Sequence, residues 1–274
     1  MPDAQRPEGR GGENIAGARL ADSGNAQSEA VNRLSRMLMV DCERGEAAQQ
    51  VLRSEYKYLL TLSEAHSLER VLSALVEADA HNGEDGYSVR SLYFDTPDDR
   101  DYTDKLDGVD SRRKLRLRIY DPNDGCAFLE MKQKQGAKQR KRSLRITRED
   151  AQRLIAAEYG VLYKYDAAFA EECFVLMSMG VYRPGVIVQF QRSAYISCGN
   201  DTRITFDHTL KATQASIDLF SNELCLYPVL DPYAVILEVK YNGFLLNHIK
   251  QLVSAADRTA VAQSKYCLAR AATI

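Results

Sequence analysis

The sequence predicts an α+β fold in which antiparallel strands close into a β-barrel around a hydrated lumen, with helices packed outside. Three observations carry this prediction. Lys114, Arg116, Arg118 and Tyr120 alternate with Leu115, Leu117 and Ile119; successive side chains of a strand point to opposite faces, so one face here is cationic and the other aliphatic. The same alternation recurs with Glu55 and Lys57, with Glu130, Lys132 and Lys134 after Phe128, with Arg203, Thr205 and Asp207, and with Glu238 and Lys240. Arg192 shares its face with Val186, Val188, Ala194 and Ile196, where a lone guanidinium needs a polar destination. A dry core cannot accept so many like charges, since two unit charges about 4 Å apart interact by roughly 4 kcal/mol at an effective dielectric near 20. A closed barrel with a wet bore gives both faces of every strand a suitable environment.

The elements follow in order. Residues 1 to 48 are rich in Gly, Ala, Arg, Glu and Gln and read as a disordered leader with one short helix near 28 to 40. The folded domain is expected over 49 to 274, its first strand starting at Val51. Thr61 followed by Glu64 is a capping-box pattern, and Leu62, Leu68, Val71, Leu72 and Leu75 give a helical stripe reaching about His81. Strands are expected at about 87 to 95, 112 to 121, 126 to 134 and 139 to 147, with Asp121-Pro-Asn-Asp-Gly125 as turn chemistry. Thr147 opens a helix to about Ala157, and a second spans Ala167 to Met179. Strands at about 186 to 197, 202 to 212 and 234 to 241 come next, and helices near 244 to 256 and 260 to 270 finish the chain.

Composition narrows the function. With 274 residues the chain can bury a sizeable core. A net charge of −2 argues against a generally basic nucleic-acid binder, the positive charge being concentrated between Arg112 and Arg148. Cys173, Cys225 and Cys267 lie in apolar contexts and no Cys-x-x-Cys occurs, which reads as reduced thiols in a cytoplasmic protein. No segment reaches the roughly 18 apolar residues of a membrane span. His66, His81, His208 and His248 are scattered, giving neither a zinc spacing nor a nucleophile triad, and there is no Gly-x-x-x-x-Gly-Lys loop.

The candidate lumen cations are Lys57, Arg90, Lys114, Arg116, Arg118, Lys132, Lys134, Arg192, Arg203, Lys240 and Lys265; the carboxylates are Glu55, Glu130, Asp207 and Glu238. An excess of cations suits a resident polyanion, and the planar arginine fork matches phosphate oxygens in pairs, so a linear phosphate chain fits best. A hard divalent cation such as Mg²⁺ or Mn²⁺ takes one or two carboxylates and completes its shell with phosphate oxygens and water. Glu130 and Glu55 serve equally well as salt-bridge partners of lumen lysines.

The ordered set Arg53-x-Glu55-x-Lys57-Tyr58, Tyr93-Phe-Asp-Thr96, Arg116-Leu-Arg118-x-Tyr120, Leu129-Glu-x-Lys132, Arg192-Ser-Ala-Tyr195, Arg203-Ile-Thr-Phe-Asp207, Leu237-Glu-Val-Lys-Tyr241 and Ser264-Lys-Tyr266 resembles the VTC domain. That domain is the polyphosphate polymerase module of the vacuolar transporter chaperone complex, within the triphosphate tunnel metalloenzymes, and the resemblance covers about 51 to 270. It implies an eight-stranded antiparallel tunnel binding ATP or another nucleoside triphosphate and inorganic polyphosphate, with Mn²⁺ or Mg²⁺ as cofactor. It implies a transferase with Arg116, Arg118, Arg192, Arg203 and Glu238 as catalytic groups, and Lys57, Lys132 and Lys265 as phosphate ligands beside Arg90, Lys114, Lys134, Lys141 and Lys240. Glu238 is the implied metal ligand, with Glu130 a second candidate. The related CYTH enzymes open with Glu-x-Glu-x-Lys, whereas Arg53 stands at the first glutamate here, which favours the VTC branch. No specific nucleic acid and no membrane span in the chain are expected, and a membrane-protein partner stays unidentified. The same tunnel with water as acceptor gives a tripolyphosphatase or nucleoside triphosphatase, and without turnover a polyanion-binding module.

Overall fold

The computed structural model describes residues 53–136, 138–197, 201–254 and 264–272; the expected leader over 1 to 48, with its helix near 28 to 40, lies outside them. The chain enters through β1 (Arg53–Thr61) and turns directly into α1 (Leu62–Leu72). The junction is the expected capping box: Glu64 N–H donates to Thr61 Oγ1 at 3.3 Å and Thr61 N–H donates to Glu64 Oε2 at 2.7 Å. The helix stops well before His81, because the chain leaves it to form β2 (Glu77–Ala78), which pairs with Ile196 and Tyr195.

Next come β3 (Tyr87–Asp95), α2 (Arg100–Leu106), β4 (Ser111–Ile119), β5 (Cys126–Gln135) and β6 (Lys138–Thr147). The sequence pattern misses α2, and the reason is its cap. The two carboxylate oxygens of Asp95 accept the backbone N–H groups of Asp101 and Tyr102, each at 2.9 Å, from six and seven residues away, beyond the reach of a local motif. Asp150 N–H donates to Thr147 Oγ1 at 3.1 Å to open α3 (Arg148–Ile155). A 3₁₀ turn (Tyr159–Lys164) leads to α4 (Ala168–Met179). The remainder is β7 (Arg183–Ser197), β8 (Thr202–Thr213), β9 (Tyr227–Pro228), β10 (Ala234–Asn242), α5 (Asn247–Ser254) and α6 (Lys265–Ala272).

All strand pairings are antiparallel, in the order β1-β10-β8-β7-β3-β4-β5-β6, with β2 attached to β7 and β9 to β8. The expected closed barrel is corrected here: among the described residues no backbone ladder joins β1 to β6. The sheet is an open one whose ends curl toward each other, since Lys132 on β5 reaches Glu55 on β1 at 2.9 Å. Both edges are cationic, with Arg140, Lys141 and Arg142 on β6 and Lys57 on β1. Charged edge strands resist further backbone pairing.

Three buried clusters hold the fold. On the convex face, Leu115, Leu117 and Ile119 of β4 pack with Leu129, Met131, Phe169, Cys173 and Met177 under α3 and α4. Also convex, Val235, Leu237 and Val239 of β10 meet Leu72, Ile249 and Val253 of α1 and α5. The third lies inside: Val89, Tyr93, Val186, Val188, Phe190 and Ile236 are covered by Tyr266 and Ala269 of α6. The expectation that helices pack only outside therefore fails for α6. Its cause is the apolar run Val186, Val188 and Phe190 on the inner parity of β7, which needs a cover that water cannot provide.

Candidate active site

Antiparallel partners share a face, so register alone decides which side chains converge. Tyr93 pairs with Arg116, and Arg116 with Glu130; Lys114 pairs with Lys132, and Lys132 with Lys141. At the other end of the sheet Tyr87 pairs with Arg192, Arg192 with Asp207, Thr205 with Glu238, Arg203 with Lys240, Lys240 with Glu55 and Glu238 with Lys57. Lys57, Lys114, Arg116, Arg118, Lys132, Lys141, Arg192, Arg203 and Lys240 are thus all on the concave face, and Lys265 reaches it from α6.

Carboxylates organise these cations into clusters. Glu130, buried on β5, takes Arg116 Nε at 2.8 Å and Arg118 Nη2 at 3.1 Å on one oxygen and Lys141 Nζ at 2.7 Å on the other. Tyr93 Oη accepts a further bond from Arg116 at 2.9 Å. Asp207, 1 % exposed, accepts both arms of Arg192 at 2.6 and 2.8 Å and Lys265 at 2.6 Å. Glu55 bridges Lys57 at 3.1 Å and Lys132 at 2.9 Å, while Glu238 pairs with Lys240 and lies 3.9 Å from Lys57.

The fields at these groups are strong. Burial works to raise the Glu55 carboxyl, but Lys132, Lys57 and Lys240 outweigh it and hold it at about 2. Glu238 is held well below the usual carboxylate range, Lys240, Lys57, Lys265 and Arg192 overcoming its burial. Burial pulls Lys132 and Lys141 down against their carboxylate partners. Lys114 has a hydroxyl partner, Ser264 Oγ at 2.6 Å, and burial drops its ammonium to about 7.

Arg90 is not part of this assembly. It pairs with Ile119 and shares the convex parity of Leu92 and Phe94, where it donates to Gln189 Oε1 at 2.7 Å and to the carbonyls of Leu219 and Ser221 at 3.1 and 2.6 Å. It anchors the loop after β8 instead of binding a ligand. Lys134 has the concave parity, opposite Arg112 at the end of the β5–β6 hairpin. Arg142 belongs to the convex face with Glu172 and Gln133.

Sequence reasoning missed a cluster at one rim. Asp79, just after β2, is 4 % exposed, ion-pairs with Arg203 at 2.6 Å and meets the His81 ring, and Arg203 also donates to Tyr87 Oη at 3.1 Å. Asn82 pins this loop to β7 by bonds to both the N–H and the carbonyl of Ala194, at 3.0 and 2.8 Å. Gly86 permits the close approach: its φ is 78°, and a Cβ there would meet the Arg192 carbonyl.

A divalent cation fits this face only as a shared site. Among the described residues no group of three or more His, Cys, Asp or Glu is placed to hold a metal alone. Both Glu130 oxygens pair with cations, two of them guanidinium groups, so in this structure Glu130, expected as a second metal ligand, aligns Arg116 and Arg118. Glu55 and Glu238 are diagonal neighbours across β1 and β10, near enough for Glu238 to raise the Glu55 carboxyl, and their present partners are lysines that phosphate would attract. Two carboxylates with phosphate oxygens and water make an ordinary Mg²⁺ or Mn²⁺ shell.

Arg118 Nε, Ser91 Oγ and Thr205 Oγ1 are buried on the concave parity with no hydrogen-bond partner among the described residues. Among the described residues no helix is long and apolar enough to cross a membrane.

Comparison with known proteins gives one informative match. No curated protein matches the chain. Solved structures with some likeness include a putative adenylate cyclase from Bacillus halodurans, at 14% identity and TM-score 0.47, covering 77% of this chain and 92% of that one. Another is a putative adenylyl cyclase from Hippeastrum with a dominant triphosphatase activity, at 14% and 0.46, covering 80% and 96%. A third is the inorganic triphosphatase NE1496, at 15% and 0.29, covering 78% and 95%. The VTC domain model matches residues 52–274, the whole stretch that carries the sheet and its cation-lined face, and the chain belongs to the VTC domain family.

Proposed function

We propose that the concave face is a tunnel for a phosphate chain, and that the protein is a metal-dependent polyphosphate polymerase transferring the γ-phosphate of ATP onto inorganic polyphosphate. The observation that carries this reading is the convergence of Arg116, Arg118, Lys132, Lys141, Arg192, Arg203, Lys240 and Lys265 from separate elements onto one face. A surface with that excess of cations is stable only when screened or occupied by a polyanion. The catalytic unit of the proposal is the domain over 49 to 274, acting in the cytoplasm where ATP is the donor.

Phosphoryl transfer asks for positioning and charge neutralisation rather than a protein nucleophile. A terminal oxygen of the chain attacks the γ-phosphorus; the new O–P bond forms as the bond to the β-phosphate oxygen breaks, and ADP leaves with the electron pair. Glu130 holds Arg116 and Arg118 as a fixed pair, and Asp207 holds Arg192, so the guanidinium groups are set before substrate arrives. Lys57, Lys132 and Lys240 exchange their carboxylates for phosphate oxygens. Glu55 and Glu238, released by that exchange, would hold the divalent cation, which adds charge neutralisation at the transferring group.

Glu238→Gln is expected to abolish turnover while leaving phosphate-chain binding largely intact; equal turnover by mutant and wild type would refute that role. A hydrolase reading has one observation in its favour. α6 is fastened over the inner apolar patch by Lys114–Ser264, Lys265–Asp207 and Tyr266–Asp95, which suits a short triphosphate better than a long chain. Incubation with ATP and Mn²⁺ followed by a polyphosphate gel separates the two: chain growth supports the polymerase, and phosphate release without growth selects the hydrolase.

A further inference from the structure

Elongation needs no protein nucleophile, because each chain end supplies the attacking oxygen. Initiation is different. A first γ-phosphoryl finds no chain to join, and a nucleophilic side chain at the rim of the cleft can take the place of one. The rim cluster holds such a group. Nδ1 of His81 lies against Asp79 Oδ1, and the His81 backbone N–H donates to the same oxygen at 3.0 Å. The other oxygen of Asp79 takes Arg203 at 2.6 Å. One buried carboxylate therefore sets an imidazole and a guanidinium side by side. Tyr87 joins them a second time: its ring lies 6.2 Å from that of His81, and its hydroxyl accepts from Arg203 at 3.1 Å.

Burial works to raise the Asp79 carboxyl, but the two bonds from His81, with Arg203 beside them, hold it below its usual value. The carboxylate is thus ionised, and the imidazole nitrogen against it carries the proton. Nε2 is left with the lone pair. It has no hydrogen-bond partner among the described residues, and the His81 side chain is 37% exposed. Asn82 fixes the loop to Ala194 of β7, and Arg203 sits opposite Lys240, which pairs with Glu238. The dyad borders the phosphate-binding groups.

We propose that His81 is a phosphoryl acceptor, on which the protein makes a phosphohistidine that primes its own chain. This rests on the reading of the concave face as a polyphosphate polymerase site. Nε2 attacks the γ-phosphorus of ATP; the N–P bond forms as the bond from phosphorus to the β,γ-bridging oxygen breaks, and ADP leaves with the electron pair. The ring becomes an imidazolium whose Nδ1–H donates to Asp79, and that carboxylate stabilises the new positive charge. Arg203 supplies charge for the phosphoryl oxygens. One of those oxygens is then the acceptor for the next γ-phosphoryl, by the same reaction as elongation.

The test is incubation of the full chain with Mn²⁺ and ATP labelled at the γ-phosphate, without added polyphosphate, followed by mass spectrometry of alkaline digests. The expected result is label on the protein that withstands alkali, is released by acid and maps to the peptide holding His81. His81→Asn keeps an N–H donor for Asp79 but has no nucleophile; it is expected to lose that label, circular dichroism confirming a folded chain. His208→Asn, outside the cluster, is expected to keep it. Chain growth with no label on His81, or label that His81→Asn retains, overturns the inference and leaves the polymerase reading standing. Label on His81 with phosphate release and no chain growth supports the acceptor role but overturns the priming role together with the polymerase reading. Neither label nor chain growth overturns both.

Discussion

Asp207 shows how a carboxylate can be required inside an anion-binding cleft. It neutralises Arg192 through two bonds and Lys265 through a third, in a position closed to solvent. Removing one partner of such a buried set leaves uncompensated charge. Asp207→Asn is therefore expected to destabilise the domain by about 3–5 kcal/mol in chemical denaturation, and an unchanged midpoint would show that water already reaches the pair. Lys114 behaves in the opposite sense. Burial lowers it from 10.5 to about 7, so above that pH the free protein holds it neutral, whereas a bound phosphate favours the ammonium. Phosphate-chain binding above about pH 7 should then take up a proton, and affinity should fall as pH rises from there. Calorimetry in buffers of different ionisation enthalpy measures the uptake, which Lys114→Met should remove; identical uptake in the mutant would assign it elsewhere.

At the scale of elements, α6 connects the apolar and ionic parts of the concave face. Tyr266 stacks on Tyr93 at 4.9 Å between ring centroids, and its hydroxyl donates to Asp95, the same carboxylate that caps α2. One side chain thus ties β3, α2 and α6 together. Tyr266→Phe keeps the stacking and deletes the bond to a charged acceptor, for an expected loss of about 1.5–3 kcal/mol. Hydrogen exchange of the α6 amides should accelerate more than that of β4; uniform acceleration would mean the bond serves global stability alone. How far this was legible in the sequence follows from period. Alternation placed β4, β5, β8 and β10 and their cation face, because a one-residue slip would reverse every side chain. Arg90 shares the parity of Leu92 and Phe94, so its own strand already marked it as convex, and charge alone was the misleading signal. Asp79 and the side of the sheet that α6 covers depend on contacts far apart in sequence, which no local pattern encodes.

For the whole molecule, the sheet order leaves β1 and β6 as its two ends, with the cation-rich β4 and β6 near one of them, and among the described residues β1 meets that side through side chains, Lys132 on Glu55 being the link. Alternation within strands could not reveal that the ends lack a ladder, since pairing between the first and last strands is a property of curvature and edge charge. It did reveal that cations from many strands share one face, and on this the functional account depends. The decisive measurement is an equilibrium titration with inorganic tripolyphosphate of wild type, Arg116→Ala, Arg192→Ala and Lys240→Ala, against Arg153→Ala on the outer helix α3 as control. The account predicts at least about tenfold weaker binding in each of the first three variants, as expected for loss of a charge-assisted contact of about 1.5–3 kcal/mol, and unchanged affinity in the control. Wild-type affinity in all three concave-face variants, or an equal loss in the control, would contradict it.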